Sequence, residues 1–469
     1  MFTRKQIAGL LGLLFPAFGL CQPAVNKFFS MTPAYDAGQA ILPMPGGGYA
    51  IFGYLQPGAG TRFDGFMLRV DAAGNVISQQ AYGEPNADER FGQGVIALAD
   101  GWLAAGSKGA PINTGWVVRL NATGQVVWAK TYANVTRFNQ LLELPGGGYL
   151  GIGAGAGQMT LVRISADGSV VWQQYYPVPE GFDAYLTSGG NACLVMSRDR
   201  VSKVHLGTQQ MVWSKKVEFP NLPPGAPEVG RLVDIVPLSK GMFALIGSAY
   251  RELPSSLYTA HYAAVWNEQG ERVWDRYFRG ADRSDYDENE GFCVTFLPNM
   301  QNILFIGKTG SNISVTRTTL SGSVLEQREI ATPGDVYGVR LIRDGIHYVM
   351  TGAVFVGSMN TFFYRSAGNS LSVQADDLSE LPTAPPAERW EMQHEPASAR
   401  AWITALSEGG REAIFRLWAL DGSLAREMRL WLTEGENRFP LDLSGLPNGL
   451  YWISEASDST PPRALFLQH

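Results

Sequence analysis

One pattern recurs along most of the chain. Its clearest copy begins with the turn 144–149, Leu-Pro-Gly-Gly-Gly-Tyr, and continues with two apolar runs at 149–155 and 159–164. A polar turn at 165–168 then leads to Val170-Val171-Trp172. The corresponding turn glycines lie about 49 residues apart, at Gly74, Gly124, Gly168, Gly207, Gly270, Gly322 and Gly368.

A repeat of this length with about four strand-length runs is typical of a β-propeller blade. We therefore expect an all-β fold in which residues 25–375 form a β-propeller. Seven blades are favoured, and six or eight are the alternatives. Two segments could supply the last strand of the ring: Val25–Phe29, which lies at the phase of an outer strand, or the segment 370–374.

A tryptophan recurs in the fourth run of several copies, as Trp128, Trp172, Trp213 and Trp274. Large aromatic side chains at equivalent positions are expected to fill the space between neighbouring blades. A stacking platform for a ligand is the alternative interpretation.

Composition excludes some classes of function. The chain is 45% hydrophobic and carries a net charge of -6, without a basic patch, so we expect no nucleic-acid partner. Cys193 and Cys293 fall in non-neighbouring repeats and are expected to be small buried side chains rather than a disulfide.

The first 21 residues have the features of a secretory signal peptide. Arg4 and Lys5 precede the apolar run 7–20, which is short for a membrane span, and cleavage is expected near Cys21. A lipid anchor on Cys21 is the weaker alternative, because the large Leu20 precedes it. No later run is apolar enough to span a membrane.

After the repeats, residues 376–389 are rich in proline and acidic residues and are predicted to be a linker. Residues 390–469 show strand signals without helical periodicity, so we expect a small C-terminal β-sandwich. Its most distinctive residues lie in two turn segments: Asp421, Gly422, Leu446, Pro447, Gly449 and Tyr451.

Two resemblances follow from these motifs. The repeats, with Gly47-Gly48-Tyr49, the run 64–74 and Tyr82-Gly83, resemble those of secreted bacterial propeller-like proteins. The C-terminal residues just named resemble the type A sorting domain of type IX secretion substrates in Bacteroidota. That resemblance implies recognition by the outer-membrane secretion machinery and a location outside the cell or on the outer-membrane surface. An ordinary accessory sandwich is the alternative.

No catalytic motif is found, and the five histidines have no metal-binding spacing. Two acidic loops, 88–91 and 282–290, are expected at the mouth of the propeller channel, where Asp88, Glu89, Asp285, Asp287 and Glu288 are candidate ligand-binding residues. Asp285, Asp287 and Asn289 could instead hold Ca²⁺, but the central glycine of the common calcium loop is missing. A solvated loop is favoured, and no cofactor is expected.

These features favour a binding or scaffolding module that recognises a glycan or a surface protein. The alternative is a secreted glycan hydrolase or lyase, which would need two carboxylates about 5–9 Å apart at the channel mouth.

Overall fold

The structure is a computed structural model. It describes residues 25–32, 34–58, 61–84, 86–109, 113–219, 229–253, 256–278 and 289–366, and in the C-terminal part 390–395, 400–407, 410–419, 424–433, 435–441, 443, 446, 449–455 and 463–467. The predicted signal peptide 1–21 and linker 376–389 lie outside these residues. In the part of the chain that is described, no helix is long and apolar enough to cross a membrane.

Seven antiparallel four-stranded blades make up the first part of the fold. The strands of the first three are β2 (Tyr35–Pro43), β3 (Tyr49–Gln56), β4 (Asp64–Val70), β5 (Val76–Tyr82), β6 (Asp88–Leu98), β7 (Gly101–Gly109), β8 (Thr114–Asn121), β9 (Val126–Tyr132), β10 (Arg137–Glu143), β11 (Tyr149–Gly155), β12 (Gln158–Ile164) and β13 (Val170–Tyr176). The next three contain β14 (Gly181–Leu186), β15 (Ala192–Ser197), β16 (Arg200–His205), β17 (Gln210–Lys216), β18 (Val229–Pro237), β19 (Met242–Leu253), β20 (Ser256–Asn267), β21 (Arg272–Phe278), β22 (Asn289–Leu297), β23 (Asn302–Thr309), β24 (Asn312–Thr319) and β25 (Val324–Ile330). A short 3-10 turn, Ser239–Gly241, joins β18 to β19.

The seventh blade combines both ends of the repeat region. It contains β26 (Asp335–Asp344), β27 (His347–Val356), β28 (Ser358–Arg365) and, as its outer strand, β1 (Val25–Phe29). The first strands of successive blades contact one another around the ring, so they form its inner wall. The structure is therefore a seven-bladed β-propeller, and the predicted fold class is confirmed.

Ring closure depends on the N-terminal strand. β1 runs antiparallel to β28, from Val25 opposite Arg365 to Phe29 opposite Thr361. Lys27 lies against the turn glycine Gly74 of the first blade, as the tryptophans of other blades do. A strand from the start of the repeats thus completes the last blade, so that the two ends of the repeat region are joined by backbone hydrogen bonds.

Burial follows the position of each strand in its blade. Every residue of β11 is buried, whereas the outer strand β13 is largely exposed and begins with exposed Val170 and Val171. Blades packed face to face bury both sides of their central strands, which explains the continuous apolar runs in the sequence.

The recurrent tryptophans pack between blades, as expected. A Cβ atom placed on Gly168 would lie only 2.8 Å from Trp128 of the preceding blade. Beside this contact, the Tyr132 hydroxyl donates to the Gly168 carbonyl oxygen at 2.9 Å. Gly168 has a positive φ of 82°, so glycine is required both by the backbone conformation and by the close aromatic ring.

The fourth blade departs from the predicted alignment. Gly207 does not have a positive φ, and Gln209, at φ 57°, takes the left-handed position instead. The Tyr176 hydroxyl donates to the Gln209 carbonyl oxygen at 2.9 Å, which is the contact that Tyr132 makes with Gly168. The turn of this blade is therefore aligned on Gln209, and the choice of Gly207 was wrong.

The C-terminal part forms two further sheets. One contains β29 (Trp390–Glu395), β30 (Arg400–Ser407) and β33 (Gly435–Leu441), and the other contains β31 (Arg411–Ala419), β32 (Leu424–Leu432), β34 (Gly449–Glu455) and β35 (Arg463–Leu467). Ile403 from the first sheet and Phe415, Leu432 and Ile453 from the second share one buried core. This is the β-sandwich expected from the sequence.

Candidate functional site

Every inner strand of the propeller is interrupted by a β-bulge. The register shifts fall between Gly38 and Ala40, Phe91 and Val95, Phe138 and Gln140, Gly181 and Asp183, Leu232 and Asp234, Gly291 and Cys293, and Tyr337 and Arg340. A bulge redirects side chains locally and is frequent next to functional sites. Here the seven bulges occur at corresponding places around the central axis.

A cavity of about 140 Å³ lies at this level, and we call it the channel cavity. The polar and aromatic side chains in its lining are Gln39, Gln93, Asn139, Phe182, Arg231 and Arg340. They come from the inner strands of six different blades, or from the bulges within them.

Hydrogen bonds connect several blades across the channel. Arg340 donates to the Gln93 side-chain oxygen and, at 2.5 Å, to the Phe292 carbonyl oxygen. Gln93 in turn donates to the Phe182 carbonyl oxygen at 3.0 Å. Arg340 has no carboxylate within ion-pair distance among the described residues. The oxygens that accept its hydrogen bonds are those of backbone carbonyls and of the Gln93 amide, which are neutral.

Two carboxyl groups lie close to the channel cavity without lining it. Asp183 accepts hydrogen bonds from the Gln140 amide at 2.6 Å and from the backbone N–H of Ile235 at 3.2 Å. Asp234 accepts from the same Ile235 N–H at 3.1 Å and from the Val294 N–H at 2.7 Å. These carboxyl groups tie the inner strands of the fourth, fifth and sixth blades together.

The environment favours a neutral Asp234. Burial, and then the hydrogen bond and negative charge of Asp183, raise the pKa of Asp234 well above its ordinary value, and the charge of Arg340 opposes this only in part. Asp234 therefore compensates the positive charge of Arg340 less than a readily ionised carboxyl group would.

A second and larger cavity of about 760 Å³ adjoins the channel cavity, with which it shares Phe182 and Arg231. We call it the arginine groove, and its other charged residues are Arg137, Glu180 and Arg198. Arg137 opens β10, Glu180 precedes β14, and Arg198 lies in the turn between β15 and β16. The groove therefore lies on the face at which the inner strands begin.

Charge in the arginine groove is unbalanced. Arg137 pairs with Glu180 at 2.5 Å, and the Arg231 guanidinium lies 5.5 Å from the centre of the Phe182 ring. Arg198 and Arg231 are exposed, and neither forms an ion pair with a carboxylate in the described part of the chain. The groove thus has an excess of two positive charges on a protein whose net charge is -6.

The predicted residues Asp88 and Glu89 lie at the start of β6 and do not line either cavity. Asp88 accepts the Phe63 backbone N–H at 2.9 Å and pairs with Arg62 at 3.3 Å. Glu89 is fully buried and pairs with Lys108 at 3.3 Å. The Asp88 carboxylate thus connects the first two blades, whereas the Glu89 carboxylate pairs with a neighbouring strand of its own blade.

The second acidic loop lies mostly outside the described residues, including Asp285, Asp287 and Glu288. Asn289 is described and buried, and its side-chain oxygen accepts a hydrogen bond from Thr309 at 3.0 Å. Within the described ranges, no group of three His, Cys, Asp or Glu residues could hold a metal ion. The calcium alternative stays a prediction.

Of the predicted sorting residues, Asp421, Gly422 and Pro447 lie outside the described residues. Leu446 is buried in the core of the sandwich, and Gly449 and Tyr451 lie on β34, opposite Leu467 and Leu465 of β35. The recognition of these residues by a secretion machinery stays a prediction.

Sequence reasoning missed the residues that line both cavities. A weak signal existed in the sequence, because Gln93 stands between two glycines and Arg340 follows Gly338-Val339. Glycine within a strand often marks a bulge. That pattern could have directed attention to the channel.

Comparison with known proteins identifies no family. No family model matches the chain, and no curated protein matches it. Among solved structures, the periplasmic gluconolactonase PpgL of Pseudomonas aeruginosa is 15% identical with a TM-score of 0.44, covering 64% of this chain and 87% of that protein. The β-propeller domain of Cps50 (Swd1) from Myceliophteria thermophila is 10% identical with a TM-score of 0.45, covering 72% and 98%. A Bacteroides caccae protein of unknown function is 14% identical with a TM-score of 0.34, covering 51% and 81%.

Proposed function

We propose that this protein is a secreted propeller that binds an acidic glycan in the arginine groove. The observation that carries the proposal is the pair of exposed arginines, Arg198 and Arg231, which line the arginine groove and have no carboxylate partner among the described residues. Arg231 also lines the channel cavity. An open groove with excess positive charge attracts anionic ligands and raises their local concentration.

Export is part of the same proposal. The signal peptide 1–21 would direct the chain out of the cytoplasm, and the C-terminal sandwich would be read by the outer-membrane secretion machinery. The sandwich formed by residues 390–467, with Leu446 in its core, supports an independent C-terminal module. The propeller would then act at the cell surface or in the extracellular space.

The enzyme alternative finds less support. Glu180 is the carboxylate described in the arginine groove, and it is paired with Arg137. Asp183 and Asp234 accept backbone N–H groups with their oxygens and do not line the channel cavity. A glycosidase needs two carboxyl groups that face the substrate.

The test is calorimetric binding of polygalacturonate and of uncharged dextran to the full chain. We expect polygalacturonate to bind and dextran not to bind. The double variant Arg198→Gln/Arg231→Gln should weaken binding by about tenfold or more, because two charge-assisted contacts are lost. Raising the salt concentration from about 50 to 300 mM should weaken wild-type binding more than binding by the variant.

Two further single variants test whether the effect on affinity is specific to the arginine groove. Arg328→Gln removes an exposed arginine from the outer strand β25 and should leave affinity unchanged. Glu180→Gln releases Arg137 from its partner and should strengthen binding. Equal affinity in wild type and double variant would refute the groove as the binding site. Release of shorter sugars during the titration would favour the enzyme alternative.

A further inference from the structure

The arginine groove ends in a small compartment. The channel cavity shares Phe182 and Arg231 with the groove but has less than one fifth of its volume, about 140 against 760 Å³. Since a water molecule takes about 30 Å³ of liquid volume, this space corresponds to about five water molecules, which suits one terminal sugar residue and does not suit a continuing chain. An extended ligand in the groove could therefore insert only its end.

The channel cavity is chemically suited to the end of an acidic sugar chain. Gln39, Gln93 and Asn139 contribute carboxamides, each with both donor and acceptor atoms, which suit sugar hydroxyl groups. Arg340 contributes a half-buried guanidinium that has no carboxylate partner among the described residues. A planar guanidinium can bind a carboxylate through two parallel hydrogen bonds.

Gln93 occupies the position that a ligand carboxylate would take. Its side-chain oxygen accepts from one terminal nitrogen of Arg340, while the other terminal nitrogen donates to the Phe292 carbonyl oxygen. A hydrogen bond between two charged groups is roughly twice as strong as one between neutral groups. A carboxylate can therefore displace the neutral amide of Gln93 without breaking the contact to Phe292.

We infer that the channel cavity binds the terminal uronate of an acidic glycan, with its carboxylate replacing Gln93 as the partner of Arg340. This inference rests on the proposed function. It adds a binding mode: the protein recognises one end of the chain, and the arginine groove holds the next sugars. One protein molecule then binds each chain whatever the chain length.

The experiment compares galacturonate oligomers of about four and about twelve residues by calorimetry with the full-length protein. We expect one protein per chain for both oligomers, with similar affinity per chain. Arg340→Gln should weaken binding of the tetramer by about tenfold or more. Arg328→Gln, on β25, serves as the control that removes an arginine far from the channel.

A second variant tests the same contact in case Arg340→Gln does not fold. Gln93→Glu places a carboxylate beside Arg340 and keeps the hydrogen bond from Arg340, but it loses the donor to the Phe182 carbonyl oxygen. The gained charge pair and the lost hydrogen bond oppose each other, so we expect it to fold with a melting temperature close to that of wild type. It should bind the tetramer at least about tenfold more weakly, because Arg340 is already paired.

The outcomes separate this inference from the proposed function. If the number of proteins bound per chain rises with chain length, and Gln93→Glu binds as wild type does, then the groove binds the middle of the chain and end recognition is wrong. If neither oligomer binds, the proposed function fails as well. If penta-glutamate binds with the same dependence on Arg340, the assignment to a glycan is overturned in favour of an acidic peptide.

Discussion

Asp36 gives the sharpest test of how the ring is closed. Its side chain is fully buried in β2 of the first blade. One carboxylate oxygen accepts the Thr361 N–H of the seventh blade at 2.6 Å, and the other accepts the Met31 N–H at 3.1 Å, in the segment that follows β1. One carboxyl group thus connects the first blade, the last blade and the closing strand.

The size of the expected change in folding stability follows from the pKa of Asp36. Burial raises the pKa of Asp36 from 3.8 to about 6, although the hydrogen bonds from Thr361 and Met31 lower it. The pKa of Asp36 is higher in the folded state than in the unfolded state. Its contribution to folding stability is therefore fully present below about pH 4 and is lost as the pH rises through about 6. The difference corresponds to about 3 kcal/mol of folding free energy by pH 8.

The perturbation is Asp36→Asn. The amide cannot ionise, so the variant lacks this pH-dependent loss. Its NH₂ group, however, faces a backbone N–H and leaves it without an acceptor, which costs about 1–3 kcal/mol. We expect the variant to be less stable than wild type at pH 4.5 and to become equal or more stable at pH 8.

The assay is urea unfolding of the full chain at pH 4.5, 6 and 8, followed by tryptophan fluorescence. Asp335→Asn is the control, because Asp335 is exposed at the start of β26. A constant free-energy difference between wild type and Asp36→Asn at all three pH values would refute the reasoning. It would mean that Asp36 does not titrate in this range.

Two further predictions concern blade packing and export. Tyr132→Phe removes the hydrogen bond to the Gly168 carbonyl oxygen and should lower the free energy of unfolding by about 1 kcal/mol, measured by urea unfolding. The control is Tyr337→Phe, at a partly exposed ring, which should leave the free energy of unfolding unchanged. Equal losses in the two variants would argue against the contact between blades. The second prediction concerns a chain that lacks residues 390–469, produced in a bacterium that has a type IX secretion system. We expect this truncated chain to stay inside the cell and the full chain to reach the cell surface. Surface immunolabelling and blots of the medium measure the difference. Surface display of the truncated chain would contradict the proposed role of the sandwich.

The repeat made most of the architecture predictable. Turn glycines and apolar runs recur with a period of about one blade, and each blade is built from neighbouring strands, so local sequence carries the pattern. The position of Val25–Phe29 relative to this period made it one of two candidates for the last strand of the ring, and the pairing with β28 shows that it takes this place. The fourth blade was misaligned, because a glycine near a turn does not show which residue takes the left-handed conformation; Gln209 takes it here.

The site was less predictable, since acidity alone does not show which charges are already paired. Asp88 and Glu89 were predicted to face a ligand, yet they are engaged with Arg62, Phe63 and Lys108. The arginines of the groove are scattered singly in the sequence and gave no motif.

The sequence by itself determined the blade and its repetition, because these depend on hydrophobic pattern and turn chemistry within about 50 residues. It left two candidates for the closing strand, and the pairing of Val25–Phe29 with β28 is a feature of the tertiary structure. Only the tertiary structure decided what lines the channel. Gln93 and Arg340 are far apart in the chain, and they meet because the ring brings all seven inner strands to one axis and the bulges redirect their side chains. Neither the closed ring nor the direction of those side chains is encoded in any single repeat.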